Sequence, residues 1–458
     1  MNSENESPVL YVVHCVDTEG PLDESLGATF GRLQQIYGIN VEPSHENLTL
    51  LQEQRFPGVD GELACSIATT FAPDLLAFNR SWEEISAMNE LVFSDQFRNE
   101  NCDSFGQPWK ISWFCMDHIG LKTNPRRKPL GFGTIHRYYS KLLERFREFD
   151  DELQFHFHPR SIGNNDVAAA TDYSTNLPEI IESLTRRLLE FNWFPTCYRP
   201  GFHSIRPDSN LFLEQWFPFD YANQFHETED AQPDLSSGRF GDWRNAPSTW
   251  RGYHPSLTDY QAPGNLRRTT FRCLNLGTRT RLLGKNHVHQ AFKEALTTGG
   301  AVLSFTNHDF RDITSDIDQA RAWLVEVSSE YPSVKIRFAT ASEAARKLMQ
   351  LTAERPGLSV AITGSELSVE INREEVFSHQ PFLAIQLKDG TALHDNFDRG
   401  LGAGSFSYIF DELTVPLEDI EKIGVAVTGL NGISASQVFT PALVRSGPSA
   451  EGGPSHSA

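Results

Sequence analysis

The chain has 458 residues, too many for one ordinary hydrophobic core, so two or more domains are expected. Apolar residues make up 39% and charged residues 22%, with a mean hydropathy of −0.39, and no run approaches the roughly 18–20 apolar residues of a membrane span. The formal net charge of −20 excludes a general nucleic-acid binder, which presents a basic surface, but leaves room for a local basic pocket that takes an anion.

The first residues, MNSENESPVL, are polar and acidic. They lack the basic start and long apolar stretch of a signal peptide, which predicts a cytoplasmic protein. The cysteines at 15, 65, 102, 115, 197 and 273 show no CxxC spacing and read as reduced thiols, not as a zinc ribbon or disulfide scaffold.

In chain order, candidate strands are VLYVVHCV (9–16), WKISWFCM (109–116), LQFHFH (153–158), TCYRP (196–200), FDYAN (219–223), AVLSFTNH (301–308) and VKIRFAT (334–340). Amphipathic stretches at 135–149, 177–191 and 316–331 lie between them, and 81–97 reads as one helix capped by Ser81. Such alternation predicts a parallel sheet or barrel with helical crossovers, with residues 20–105 an elaboration after the first strand. Beyond residue 355 the pattern changes to short alternating strands at 358–372, 382–390, 406–413 and 422–429, which predict a β-sandwich over 355–445. Residues 446–458 are rich in Gly, Ser and Pro and are expected to be disordered.

Several candidate strands end in ionisable residues: Asp17 and Glu19, His156 and His158, Arg199, and His308. In a parallel barrel these ends share one face, where such folds keep their chemistry. Alternate residues of a strand face the same way, so His156 and His158 point together with Phe157 opposite. Two imidazoles and a carboxylate make a three-ligand divalent-metal site with open positions. Either Asp17 or Glu19 suits the ligand role, leaving the other to take a proton from water. Arg199 is placed to orient the base carboxylate and keep it ionised, and His308 to serve as general acid, with Asp309 as its orienting partner.

Taken in order, VDTEG, HFHP, YRPGF and LSFTNHD resemble the motifs of the polysaccharide deacetylase (NodB-homology) superfamily, which includes carbohydrate esterase family four. The resemblance covers roughly residues 8–350. It implies an α/β fold, a distorted (β/α) barrel over residues 1–350, followed by the β-sandwich. It also implies metal-dependent removal of an N-acyl group from a sugar or glycan precursor of cell-surface polysaccharide. Carried onto this chain, Asp17 is the base, Glu19, His156 and His158 are the metal ligands, and Arg199 and His308 are catalytic. The metal is one divalent ion, zinc first, with cobalt, manganese or nickel as substitutes. Two departures stand out: Thr18 separates acids that are adjacent in the common motif, and the histidines are two apart instead of four, with Gln154 in the place of the first.

Asp117, His118, Arg160, His203, Trp250 and Arg311 follow site strands or offer an aromatic wall, and are expected substrate contacts; as single residues, solvated loops and core packing explain them equally. The expected partners are a carbohydrate substrate and a second copy of the chain through the β-sandwich. Alternative readings are a related amidohydrolase of the allantoinase-like kind on a non-sugar amide, with or without metal, and a catalytically degenerate glycan-binding protein.

Overall fold

The computed structural model describes residues 7–117, 130–159, 173–227 and 241–441. His118, Arg160 and the tail at 446–458 lie outside the described residues. Strand β1 (Val9–Thr18) is followed by five helices, α1 (Leu26–Tyr37), α2 (His45–Gln52), α3 (Gly61–Thr70), α4 (Trp82–Val92) and α5 (Asp95–Asn99). Next come β2 (Ile111–Met116), α6 (Thr134–Arg145), β3 (Glu152–Phe157), α7 (Leu177–Phe191), β4 (Cys197–Pro200), α8 (Pro207–Trp216) and β5 (Phe219–Asn223). The series closes with β6 (Thr269–Asn275), α9 (Lys285–Thr298), β7 (Gly300–His308), α10 (Thr314–Ser328), β8 (Lys335–Phe338) and α11 (Ala341–Leu348).

Strands β1 to β7 pair in parallel in chain order, and β7 pairs again with β1, so the seven close a barrel. β1 runs along β7 from Val9 opposite Gly300 to Asp17 opposite His308. Its other edge is divided: Val9–Val12 lie against β8, and His14–Thr18 against β2.

Side-chain alternation then decides what enters the barrel. On β1, Leu10, Val12 and Val16 pack outward with Trp109 and Ile111, whereas Val13 and Cys15 join Phe114, Cys197, Tyr221 and Cys273 inside. Asp17 is the next inward position. On β3, Phe155 and Phe157 pack outward against Leu184 and Leu188, which leaves Gln154 and His156 facing in. An apolar floor below a polar mouth follows from the sequence period alone.

Two expectations need correction. β6 is not among the candidate strands of the sequence; Arg272 stands inside it and Arg268 just before it. Both arginines are buried, with Arg268 held by Asp220 at 2.5 Å and Asn210 at 2.6 Å, and Arg272 by Glu227 at 3.2 Å. The helix expected over 81–97 is two helices, because Ser94 accepts a hydrogen bond from the Phe97 backbone N–H and starts α5 afresh. Helices α1–α3 and their flanks enclose a small core of Phe30, Leu33, Leu51, Ile67 and Phe71, while Met88, Val92 and Phe97 pack on the barrel.

After α11 come β9 (Leu358–Thr363), β10 (Glu366–Ile371), β11 (Phe382–Leu387), β12 (Ala392–Asp395), β13 (Asp398–Arg399), β14 (Ser405–Ile409), β15 (Ile420–Thr428) and β16 (Ser434–Phe439). They form two antiparallel sheets, ordered β13-β14-β10-β9 and β12-β11-β15-β16. Leu367, Val369, Leu383, Ile385, Ile423 and Val425 fill the space between the sheets. The second sheet is covered on its far side too: Phe382, Ala384 and Ala426 pack with Leu188 of α7. Gly424 is needed there, since a Cβ would stand 2.8 Å from Leu188 Cγ. No helix among the described residues is long and apolar enough to cross a membrane.

Candidate metal centre

The carboxyl ends of β1, β3, β4 and β7 bring six of the sequence-picked side chains into one buried group. Arg199 grips Asp17 with two hydrogen bonds, Nε to Oδ1 at 2.7 Å and Nη2 to Oδ2 at 3.0 Å. Burial pushes the Asp17 carboxyl up, but the charge and hydrogen bonds of Arg199, together with the His156 and His308 imidazoles, outweigh it and hold Asp17 well below the usual carboxylate range. Arg199 also donates to the Tyr221 carbonyl, so its plane is fixed from two sides.

His156 donates from Nδ1 to the Arg199 carbonyl at 2.9 Å, which leaves a lone pair on Nε2. That Nε2 is buried, has no hydrogen-bond partner, and lies 3.8 Å from Glu19 Oε1. His158 Nε2 stands 3.1 Å from the same oxygen. The ligand atoms of Glu19, His156 and His158 all lie within 4.8 Å of one another. A tetrahedral ion with bonds of about 2.0–2.2 Å separates its ligands by about 3.3–3.6 Å. The observed spacings bracket that value, so the donor set fits a zinc-like divalent ion, and the partnerless imidazole nitrogen is the atom such an ion would take up.

Thr18, between the two acids, turns aside: its hydroxyl donates to the Phe114 carbonyl at 3.1 Å. Asp17 thus faces Arg199 and Glu19 faces the histidines. Gln154 sits one inward position below His156, and its Oε1 accepts from the Thr196 and Cys197 backbone N–H groups at 3.1 and 2.8 Å. It ties β3 to β4 and belongs to the barrel wall.

His308 completes the group, with Nε2 4.0 Å from Asp17 Oδ2 and 3.8 Å from Glu19 Oε1. Burial pushes its pKa down to about 4 against the pull of both carboxylates. Asp309 does not touch its neighbour. Its carboxylate accepts from the Glu19 N–H at 2.8 Å, the Gly20 N–H at 3.1 Å and the Tyr139 hydroxyl at 3.0 Å. It therefore positions Glu19, a role the sequence did not suggest, because neighbours on a strand leave in opposite directions. Gly201 was also missed as a site residue. A Cβ there would lie 2.4 Å from the His158 ring, so only glycine lets His158 pack against the RPGF turn.

The expected substrate contacts divide. His203 stays at the site, its Nδ1 3.5 Å from Arg199 Nη2. It and Phe202 adopt left-handed φ values of 51° and 52°, a strained turn braced by Trp243 donating to the His203 carbonyl at 2.8 Å. Asp117 is fully buried and paired with Arg187 of α7 at 2.6 Å. Trp250 lies in the outer core under the Arg272 guanidinium, 4.5 Å from its ring centroid. Arg311 donates to the Leu75 and Gly277 carbonyls, bracing the loops beside the mouth.

A closed parallel α/β barrel with a carboxylate and two histidines converging at its carboxyl end defines the class of this molecule. No family model matches the chain, and no curated protein matches it. Among solved structures, a superoxide reductase (1Fe-SOR) from Giardia intestinalis aligns with 19% of this chain and 96% of its own length, at 11% identity and a TM-score of 0.14, a likeness that carries no argument.

Proposed function

We propose that the chain is a metal-dependent hydrolase of the polysaccharide deacetylase kind, removing an N-acyl group from a sugar or glycan precursor. The observation that carries this reading is the unpartnered His156 Nε2 turned toward Glu19 beside the Asp17–Arg199 pair. Glu19, His156 and His158 would hold the ion, and a divalent metal bound there supplies a Lewis acid for the acyl carbonyl and for water.

The chain's own residues handle the protons. Asp17, kept ionised by Arg199, accepts the proton of the attacking water. His308 is neutral at pH 7 and has room for one proton on Nε2, 4.0 Å from Asp17 Oδ2. It passes that proton to the leaving nitrogen, so the pair ends the cycle as it began. Buried walls on every side strengthen these charge interactions. The sugar, a cytoplasmic location and pairing of copies through the antiparallel sheets belong to the same proposal.

The test is acyl release from a panel of N-acetylated sugars, nucleotide sugars and non-sugar amides, with metal-stripped and zinc-, cobalt- or manganese-reloaded protein. Metal-dependent release from sugar amides is expected. Release from non-sugar amides alone moves the reading to an amidohydrolase of another kind, and glycan binding without turnover makes the chain a binding protein.

A further inference from the structure

Asp309, the first residue past β7, is fully buried, and among the described residues no lysine, arginine or histidine pairs with it. The buried Asp17, Asp117, Asp151 and Asp220 each face an arginine. A carboxylate taken out of water with no opposite charge destabilises a fold unless something else offsets it.

Hydrogen bonds offset part of that cost, and they lead to a metal ligand. Asp309 Oδ1 accepts from the Glu19 and Gly20 N–H groups at 2.8 and 3.2 Å, and Oδ2 from the Gly20 N–H at 3.1 Å and the Tyr139 hydroxyl at 3.0 Å. Backbone N–H groups only donate, and they address both oxygens, so the group is received as an anion. Gly20 reaches it with a φ of 74°, which turns two successive N–H groups to one side as an anion nest. The Asp309 backbone is tied as well. Its N–H donates to the Asp17 carbonyl at 3.4 Å, and its carbonyl accepts from Asn79 Nδ2 at 2.9 Å. Tyr139 is fixed by its ring, stacked on Trp113 with centroids 4.8 Å apart.

A neutral acceptor would hold the Glu19 turn equally well, so the charge itself calls for a use. A cation held by the Glu19 carboxylate sits one residue's reach from Asp309, inside walls that strengthen attraction between opposite charges.

We propose that Asp309 is a positioning residue of the metal centre that also supplies a negative charge outside the ligand set, raising the affinity for a divalent cation. The proposal rests on the metal centre at Glu19, His156 and His158. Charge that destabilises the empty site and is offset when the cation arrives links binding to stability.

The test is zinc affinity by competition with a chromophoric chelator, together with the melting temperature of the metal-free chain, for the unaltered chain, Asp309→Asn and Tyr139→Phe. Asparagine keeps the shape and one acceptor oxygen but not the charge; phenylalanine removes one hydrogen bond and leaves the charge. Asp309→Asn is expected to weaken zinc by about 10–100-fold, with a metal-free melting temperature at or above that of the unaltered chain. Tyr139→Phe is expected to change the affinity by less than about threefold. Unchanged affinity in Asp309→Asn, equal losses in the two variants, or a melting temperature that falls together with the affinity overturns the proposal. Zinc that fails to bind the unaltered chain removes the metal centre and this proposal together, whereas normal binding with an indifferent Asp309→Asn removes this proposal alone.

Discussion

The two ends of the barrel both bury charge, and they differ in what is left over. At the amino end, Asp151 accepts from Arg98 Nη1 and Nη2 at 2.9 and 2.6 Å, from the Ile111 N–H at 2.9 Å and from Trp113 Nε1 at 2.9 Å. Both its oxygens are satisfied twice. At the carboxyl end, Asp17 and Arg199 are as deeply buried, yet His156 Nε2 and His308 Nδ1 have no hydrogen-bond partner. A saturated network stabilises a fold; at the carboxyl end the partnerless His156 Nε2 faces Glu19 with His158 beside it, a group that could hold an ion.

The largest effect expected is on turnover. Asp17→Asn removes the charge that faces Arg199 and His308, and should lower acyl release by about 10²–10⁴-fold, measured at saturating metal. Loss confined to KM would break the assignment of Asp17 to proton transfer.

Stability should separate the two ends next. Asp151→Ala leaves Arg98 buried without its partner and should cost about 3–5 kcal/mol in denaturant unfolding. His156→Ala in metal-free protein loses one buried hydrogen bond, Nδ1 to the Arg199 carbonyl, and strands no buried charge, so it should cost clearly less. Equal losses at the two positions would erase the contrast between a structural and a functional network.

A smaller effect is expected at the turn after β4. Gly201→Ala forces the His158 ring away and should weaken metal affinity by about 10–100-fold, read by competition with a chromophoric chelator, with stability changed less. Unchanged affinity would show that His158 is not a ligand.

Much of the site was legible because β1, β3, β4 and β7 are apolar runs ending in polar residues, and a period of two fixes which residues face inward. That period puts Gln154 and His156 on one inward face, and His156, two residues nearer the carboxyl end of β3, is the one that reaches the mouth. What stayed hidden depends on partners distant in sequence. Asp117 ends a strand like a site residue, but Arg187 claims it from α7, 70 residues later. β6 is missing from the candidate strands, and the acids that offset Arg268 before it and Arg272 within it, Asp220 and Glu227, come from elsewhere in the chain. Asp309 looked like a partner of His308, and only the three-dimensional register sends it to Glu19 and Tyr139. Trp250 looked like a sugar platform, and the helix packed over it makes it core.

The central claim is that Glu19, His156 and His158 meet at one ion. A crystal structure of zinc-loaded protein, with anomalous data at the zinc edge, tests it directly. One peak about 2.0–2.2 Å from Glu19 Oε1, His156 Nε2 and His158 Nε2 is the result expected. An anomalous map with no peak there at saturating zinc, or a zinc held by other side chains, would contradict it.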